Sequence, residues 1–261
     1  MKVLLFTAAL TAALTFAHPL LAQEHARDQA PKPPVPQAKP DSDAHSSDRG
    51  PDTKVNKDKK SLPESNIYPL STCPISGSPL GSMGEPVVKV YGNREVRFCC
   101  AACPPKFEKD LARSSAALDE KVIKDQLPHY PLTKSVVSDK ALPEKPLDFV
   151  HDNRLIRVVD EAEKTEFLKD PAPRLAALDT AVIESQTKDY PLTTCAVSGE
   201  KLGSMGAPKD VVLASRLIRL CCDSCRKSLQ AEPAKFIAKV DSARSATEST
   251  RKPPEKEPQG K

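Results

Sequence analysis

Tryptophan is absent from this 261-residue chain, and aromatic mass is limited to seven phenylalanines and four tyrosines. So little aromatic volume excludes one large core and points to small folded units joined by unstructured chain, as do 26 prolines. Charge of one sign is lacking too. The net charge is +4, with acids and bases alternating throughout, and no basic stripe is interleaved with aromatics. Nucleic acid is therefore not an expected partner. No segment after the N-terminus is long and apolar enough for a stable membrane span. A hydrolytic triad and a phosphate loop are both missing, and a non-enzymatic protein is expected. Cysteine is absent everywhere except in two short windows.

The N-terminus reads as an export signal. Lys2 supplies a positive start, and 3–17 is an uncharged apolar run with cleavage points after Ala17 or Ala22. No cysteine lies near these points to take a lipid. Residues 1–22 are assigned to the signal, and the mature protein is expected in the periplasm or outside the cell, where disulfides can form. Residues 23–66, with Pro31-Lys32-Pro33-Pro34-Val35-Pro36 and a polar run over 41–60, read as a disordered linker. The tail, 244–261, reads the same way.

The windows that hold all eight cysteines are copies of one another. Tyr68–Cys103 aligns without a gap on Tyr190–Cys225, and more than half of the positions are identical. Each contains four cysteines: Cys73, Cys99, Cys100 and Cys103 in the first, Cys195, Cys221, Cys222 and Cys225 in the second. A third copy lies between them. Tyr68-Pro69-Leu70 returns as Tyr130-Pro131-Leu132 and Tyr190-Pro191-Leu192, and Ala116-Ala117-Leu118-Asp119 returns as Ala176-Ala177-Leu178-Asp179. A period of about 60 residues indicates tandem modules, placed at 67–128, 129–189 and 190–243.

Each module has the same coarse reading. A turn (Cys73–Gly77, Cys195–Gly199) precedes two β-prone runs, Val87–Tyr91 and Glu95–Cys99 in the first unit, around a Gly92-Asn93 hairpin signal. The third unit has Val211–Ala214 and Leu217–Cys221. A helix follows, with Pro104 and Pro105 in its first turn and Phe107 and Leu111 on one face. A second helix spans about 116–126. Turn, hairpin and helix in this order predict an α+β chain of three treble-clef-like modules. Such a module brings one ligand pair from the turn and one from the helix start. The second knuckle position is Ser76, or Ser198, a poor ligand. Cys73, Cys99, Cys100 and Cys103 then make a four-thiolate set, as do Cys195, Cys221, Cys222 and Cys225.

The block Phe98-Cys99-Cys100-Ala101-Ala102-Cys103-Pro104-Pro105-Lys106-Phe107-Glu108 resembles the Phe-Cys-x-x-x-Cys-x-x-x-Phe block of YHS and TRASH domains. These are small treble-clef-like modules of metal sensors, transporters and resistance proteins. Cys73, Cys99 and Cys103 match the family pattern, as do Cys195, Cys221 and Cys225; Cys100 and Cys222 are additional. The resemblance implies binding of zinc or copper.

The middle unit has lost all four cysteines together. Ser135, Val159, Asp160 and Glu163 stand where Cys195, Cys221, Cys222 and Cys225 do. His129, His151, Asp160 and Glu163 are weighed as a replacement site, and a solvated acidic face is the preferred reading of them. After the initiator, methionine occurs at Met83 and Met205 alone, both in Gly-Ser-Met-Gly. A thioether beside thiolates would favour Cu(I); a flexible apolar filler beneath the glycine-rich turn is the simpler assignment.

The expected function is storage, sequestration or delivery of Zn or Cu(I), about two ions per chain. An envelope metal transporter or acceptor protein is the expected partner. The alternative is a disulfide-stapled envelope protein with no metal role, in which the same cysteines hold together modules too small to be stable alone. A Cys-x-x-Cys redox enzyme is disfavoured, because the thioredoxin-like strand order is missing.

Overall fold

The computed structural model describes residues 62–250. The expected signal, nearly all of the linker and the end of the tail lie outside the described residues. Three antiparallel hairpins recur along the chain: β1 (Val87–Tyr91) with β2 (Arg94–Phe98), β3 (Leu147–His151) with β4 (Arg154–Val158), and β5 (Lys209–Leu213) with β6 (Arg216–Leu220). Tyr91 faces Arg94, His151 faces Arg154 and Leu213 faces Arg216, so each turn has two residues. Such turns favour left-handed backbone. Gly92 (φ +63°) and Asp152 (φ +55°) supply it at the first position. In the third hairpin Ala214 (+52°) and Ser215 (+60°) adopt it without glycine, against a local cost that the contacts described below offset.

Two strands do not make a stable sheet alone, and each hairpin is covered by a short helix followed by a long one. These are α1 (Cys103–Glu108) and α2 (Leu111–Gln126), α3 (Glu161–Lys169) and α4 (Pro171–Thr187), and α5 (Cys225–Ala231) and α6 (Pro233–Thr250). The α+β class is as expected, and β1 is as expected to the residue. The joint between helices is built each time by a stop signal. Asp110 caps α2 by accepting from the Arg113 amide at 3.1 Å, and Pro171 and Pro233 open α4 and α6, where a missing N–H is harmless.

That joint corrects one expectation. Phe107 is buried in α1, while Leu111 opens α2 and is exposed, so the two do not share a helix face. Two boundaries shift as well. The linker ends in a 3₁₀ turn, Glu64–Asn66, with Asn66 buried, and α6 runs past 243 to Thr250.

Leu118 and Val122 on α2, and Leu178 and Val182 on α4, are fully buried one helical turn apart. Beside them an arginine at the start of the second strand reaches an aspartate on the long helix in every repeat: Arg94–Asp119 at 2.5 Å, Arg154–Asp179 at 2.6 Å and Arg216–Asp241 at 2.8 Å. This pair ties the hairpin to the helix within each unit.

Successive units are joined by the end of the long helix. The Gln126 side chain donates to the Asn153 carbonyl (2.7 Å) and accepts from the Leu155 amide (3.1 Å). One repeat later, Gln186 donates to the Ser215 carbonyl (2.8 Å) and accepts from the Leu217 amide (3.0 Å). Each amide thus clamps the next hairpin at its turn, which is where Ala214 and Ser215 hold their left-handed backbone. No unit precedes the first hairpin among the described residues, and Asn66 does half of the task by donating to the Asn93 carbonyl at 2.7 Å.

The first unit also touches the third. Arg97 donates to the Ala231 carbonyl (2.5 Å) and the Gln230 carbonyl (2.6 Å) at the end of α5, Asp125 pairs with Arg216 at 2.8 Å, and Ile67 lies in the core of the third unit. The middle unit is docked on both neighbours, through Gln126 on one side and Gln186 on the other.

Candidate metal centre

Each cysteine cluster begins with a tight loop. The Cys73 amide bonds to the Ser78 carbonyl and the Gly77 amide to the Cys73 carbonyl, both at 2.9 Å. The loop closes through a left-handed residue, Gly77 at φ +72°, which glycine adopts without the clash of a Cβ. The third unit repeats it through Cys195 and Gly199 (φ +79°). Such a loop turns backbone N–H groups inward; the Ser198 amide lies 3.4 Å from Cys195 Sγ. The next cysteine, Cys99 or Cys221, stands one residue past the second strand, and Cys103 or Cys225 is the first residue of the short helix. Cys100 was expected on the first turn of that helix. It sits in the turn before it, where its carbonyl accepts from the Cys103 amide at 3.2 Å.

The ligand atoms of Cys73, Cys99 and Cys103 all lie within 4.8 Å of one another, and so do those of Cys195, Cys221 and Cys225. All six residues are buried and their thiols are free. The separations are informative. Cys99 and Cys103 are 3.8 Å apart, as are Cys221 and Cys225, and Cys195 and Cys225. A tetrahedral ion with Zn–S bonds of ~2.3 Å holds its sulfurs about 3.8 Å apart. A disulfide would bring them to about 2.05 Å. Cys100 and Cys222 are half-buried and lie beside the trios, Cys100 at 3.7 Å from Cys103 and 4.0 Å from Cys99, Cys222 at 3.8 Å from Cys221.

Ser76 and Ser198, each three residues after the first cysteine of its cluster, have a part of their own. Ser76 Oγ is 3.2 Å from Cys99 Sγ, and Ser198 Oγ is 3.3 Å from Cys221 Sγ. A hydroxyl there is placed to support a sulfur that could ligate, the outer-layer role that orients ligands in metal sites.

Electrostatics divides each trio. Burial opposes a thiolate at Cys73, but hydrogen bonds from the Ser76, Cys99 and Ile75 backbone and from the Ser76 side chain outweigh it and bring the pKa down to about 6. At Cys195 the same contest, won by the Ser198 side chain and the surrounding amides, also ends at about 6. Burial and the neighbouring sulfurs push Cys103 and Cys225 up to about 12. One buried thiolate is thus favoured and its neighbour is penalised. A cation among the three sulfurs removes the penalty, because it is attracted by every thiolate it separates.

The middle unit shows the same geometry filled differently. Ser135 Oγ donates to Glu163 Oε2 at 2.6 Å, Ser138 donates to the other carboxylate oxygen, and the Val159 amide donates to Oε2 at 3.0 Å. Burial raises the Glu163 carboxyl, but these donors and the Lys140 charge prevail and hold it below its ordinary range. Glu163 is buried, which corrects the expectation of a solvated acidic face. Asp160 caps α3 by accepting from the Glu163 amide. His151 pairs with Asp152 at 3.7 Å and packs edge-on against Phe167, and His129 lies in the 3₁₀ turn Leu127–His129. Among the described residues the two cysteine trios are the groups of His, Cys, Asp or Glu close enough to share an ion.

Met83 and Met205 are both 64% exposed. Neither packs as a filler beneath its turn, and neither belongs to a trio. No described helix is long and apolar enough to cross a membrane. Compared with family models, with curated proteins and with solved structures, the chain matches none.

Proposed function

We propose that this is an exported, non-enzymatic metal-binding protein that stores, sequesters or delivers Zn(II) or Cu(I) through two cysteine centres. The units are treble-clef-like modules of the YHS and TRASH kind. Cys73, Cys99 and Cys103 hold one ion and Cys195, Cys221 and Cys225 the other, with Cys100 and Cys222 as the adjacent fourth thiols. An envelope transporter or acceptor protein exchanges the ion with them. Thiolate sets of this kind suit soft and borderline ions, Cu(I) and zinc above all.

The observation that carries the reading is the convergence, twice, of three buried sulfurs within 4.8 Å of one another, with the Cys99–Cys103, Cys221–Cys225 and Cys195–Cys225 pairs at 3.8 Å, on a scaffold whose middle copy fills the same place with a hydrogen-bonded carboxylate. The test is metal uptake by the reduced, full-length chain, followed by elemental analysis. About two equivalents of Zn(II) or Cu(I) are expected, falling to about one in Cys73→Ser or Cys195→Ser. No uptake, or uptake unchanged by both substitutions, overturns the proposal.

A further inference from the structure

The two cysteine centres are alike at their buried trios and differ one layer further out. The turn that carries the fourth cysteine has the same backbone in both: the Cys103 amide reaches the Cys100 carbonyl at 3.2 Å and the Cys225 amide reaches the Cys222 carbonyl at 3.4 Å. The side chains differ. Cys100 leans over its trio, 3.7 Å from Cys103 and 4.0 Å from Cys99. Cys222 stays 3.8 Å from Cys221, but its sulfur is also 2.9 Å from the hydroxyl of Ser224. The residue at the corresponding place in the first unit is Ala102, which has no polar side-chain atom. A hydroxyl two residues on is therefore the chemical difference at this position.

We propose that Ser224 makes the third unit's centre the labile one. The Ser76 and Ser198 hydroxyls meet sulfurs that are already in their trios, whereas the Ser224 hydroxyl holds the Cys222 sulfur at the edge of its own, in contact with Cys221; the site then works with Cys195, Cys221 and Cys225 and keeps its fourth position open. Cys100 has no such competitor and closes the first centre as a four-thiolate site. An open fourth position is where an incoming ligand adds, and for these ions the fitting ligand is a thiolate from a small thiol or an acceptor protein. Exchange then needs no electron transfer. The incoming thiol gives its proton to solvent and bonds to the ion, one cysteine–metal bond breaks, and that cysteine takes up a proton. Ser224 is a positioning residue in this scheme. The inference rests on the metal-binding reading above.

The experiment uses the full-length reduced chain loaded with two equivalents of Zn(II), and follows release of zinc to a chromophoric chelator in the presence of a small thiol. Two phases of equal amplitude are expected, with rates differing by roughly tenfold or more, the scale on which outer-layer partners act on metal sites. Ser224→Ala should slow the fast phase toward the slow one, and Ser224→Thr, which keeps the hydroxyl, should leave it fast. Ala102→Ser should convert the slow ion to a fast one, and Cys100→Ser should do the same. Release of both ions at one rate from the parent, or two phases that neither Ser224→Ala nor Ala102→Ser changes, overturns the inference and leaves the metal-binding reading standing. Failure of the chain to take up zinc overturns the inference, and failure to take up Cu(I) as well overturns both.

Discussion

Glu163 and Cys225 occupy the same place in successive repeats, and each is the group that its short helix turns inward beneath the knuckle loop. In one unit the inward group is a carboxylate with three donors upon it. In the other it is a thiol 3.8 Å from two further sulfurs. Two solutions to one packing problem follow: a fixed anion supplied with donors, or a set of thiols that could share a cation.

Glu163→Gln tests the first solution. An amide has one oxygen for donors that address two carboxylate oxygens, so at least one of Ser135, Ser138 and the Val159 amide loses its acceptor. We expect a loss of about 2–3 kcal/mol, the scale of hydrogen bonds to a buried charge, read as a lower urea midpoint with metal stoichiometry unchanged. The depressed carboxyl also sets a pH dependence. Its stabilisation is present above the unfolded-state value of about 4.3 and is lost as pH falls through the lower folded-state value. The difference in midpoint between parent and variant should therefore narrow in acid.

Metal uptake should release protons in a pH-dependent number. At pH 7.5 Cys73 and Cys195, with values of about 6, are already thiolates and release little, whereas Cys103 and Cys225, at about 12, must each give up a proton. Below pH 6 the first pair is protonated too. Proton release per ion, measured in weak buffer, should rise as pH falls through 6, and apparent affinity should fall more steeply there. A proton count that stays flat from pH 7.5 to 5 would contradict the assignment of the two roles.

Gln126→Ala removes the clamp between the first and second units. The Asn153 carbonyl and Leu155 amide lose their partners at a buried turn, and Ser215, whose hydroxyl is 3.1 Å from Gln126 Oε1, loses one too. Unsatisfied buried groups cost ~1–3 kcal/mol each. We expect loss of about 2–4 kcal/mol in urea unfolding and faster amide exchange at Leu155. Protection at Leu155 equal to that of the parent would argue against the clamp.

Rebuilding the trio in the middle unit should create a third centre. Ser135→Cys, Val159→Cys and Glu163→Cys together should raise zinc uptake by about one equivalent, since the knuckle loop is already present: the Ser135 amide bonds to the Lys140 carbonyl at 2.9 Å and Asp139 holds φ +58°. Uptake that stays at the parent's level would show that this loop cannot present a ligand.

The repeats and the hairpins were legible in the sequence because each is written in local signals, a period and a two-residue turn; the cysteines were legible as two sets of four, and the trios within them only through the resemblance. The pairing of Ser135 with Glu163 had a signal too, since alignment puts both at ligand positions, and a place that is buried in the neighbouring repeats is buried here as well. The Gln126 and Gln186 clamps had a signal as well, Val-Ile-x-x-Gln at 122–126 and again at 182–186. Its meaning lay in the next unit's backbone, which no local rule addresses. Asn66 and Ile67 had no signal at all, because the first unit has no predecessor to copy. The positions of Met83 and Met205 turned on how a glycine-rich loop faces solvent, and composition does not encode that.

The clamps also give the molecule a direction. Every one of them reaches forward: the end of a finished helix takes hold of a hairpin made of later residues. A chain that emerges N-terminus first thus meets, at each stage, a completed surface with an amide pair waiting for the next turn, which suits folding in step with synthesis. Among the described residues the handholds run as far as α6, where alignment puts Glu248 in the place of Gln186. A carboxylate can accept but has no hydrogen to give, so Glu248 keeps the accepting half of the clamp and loses the donating half.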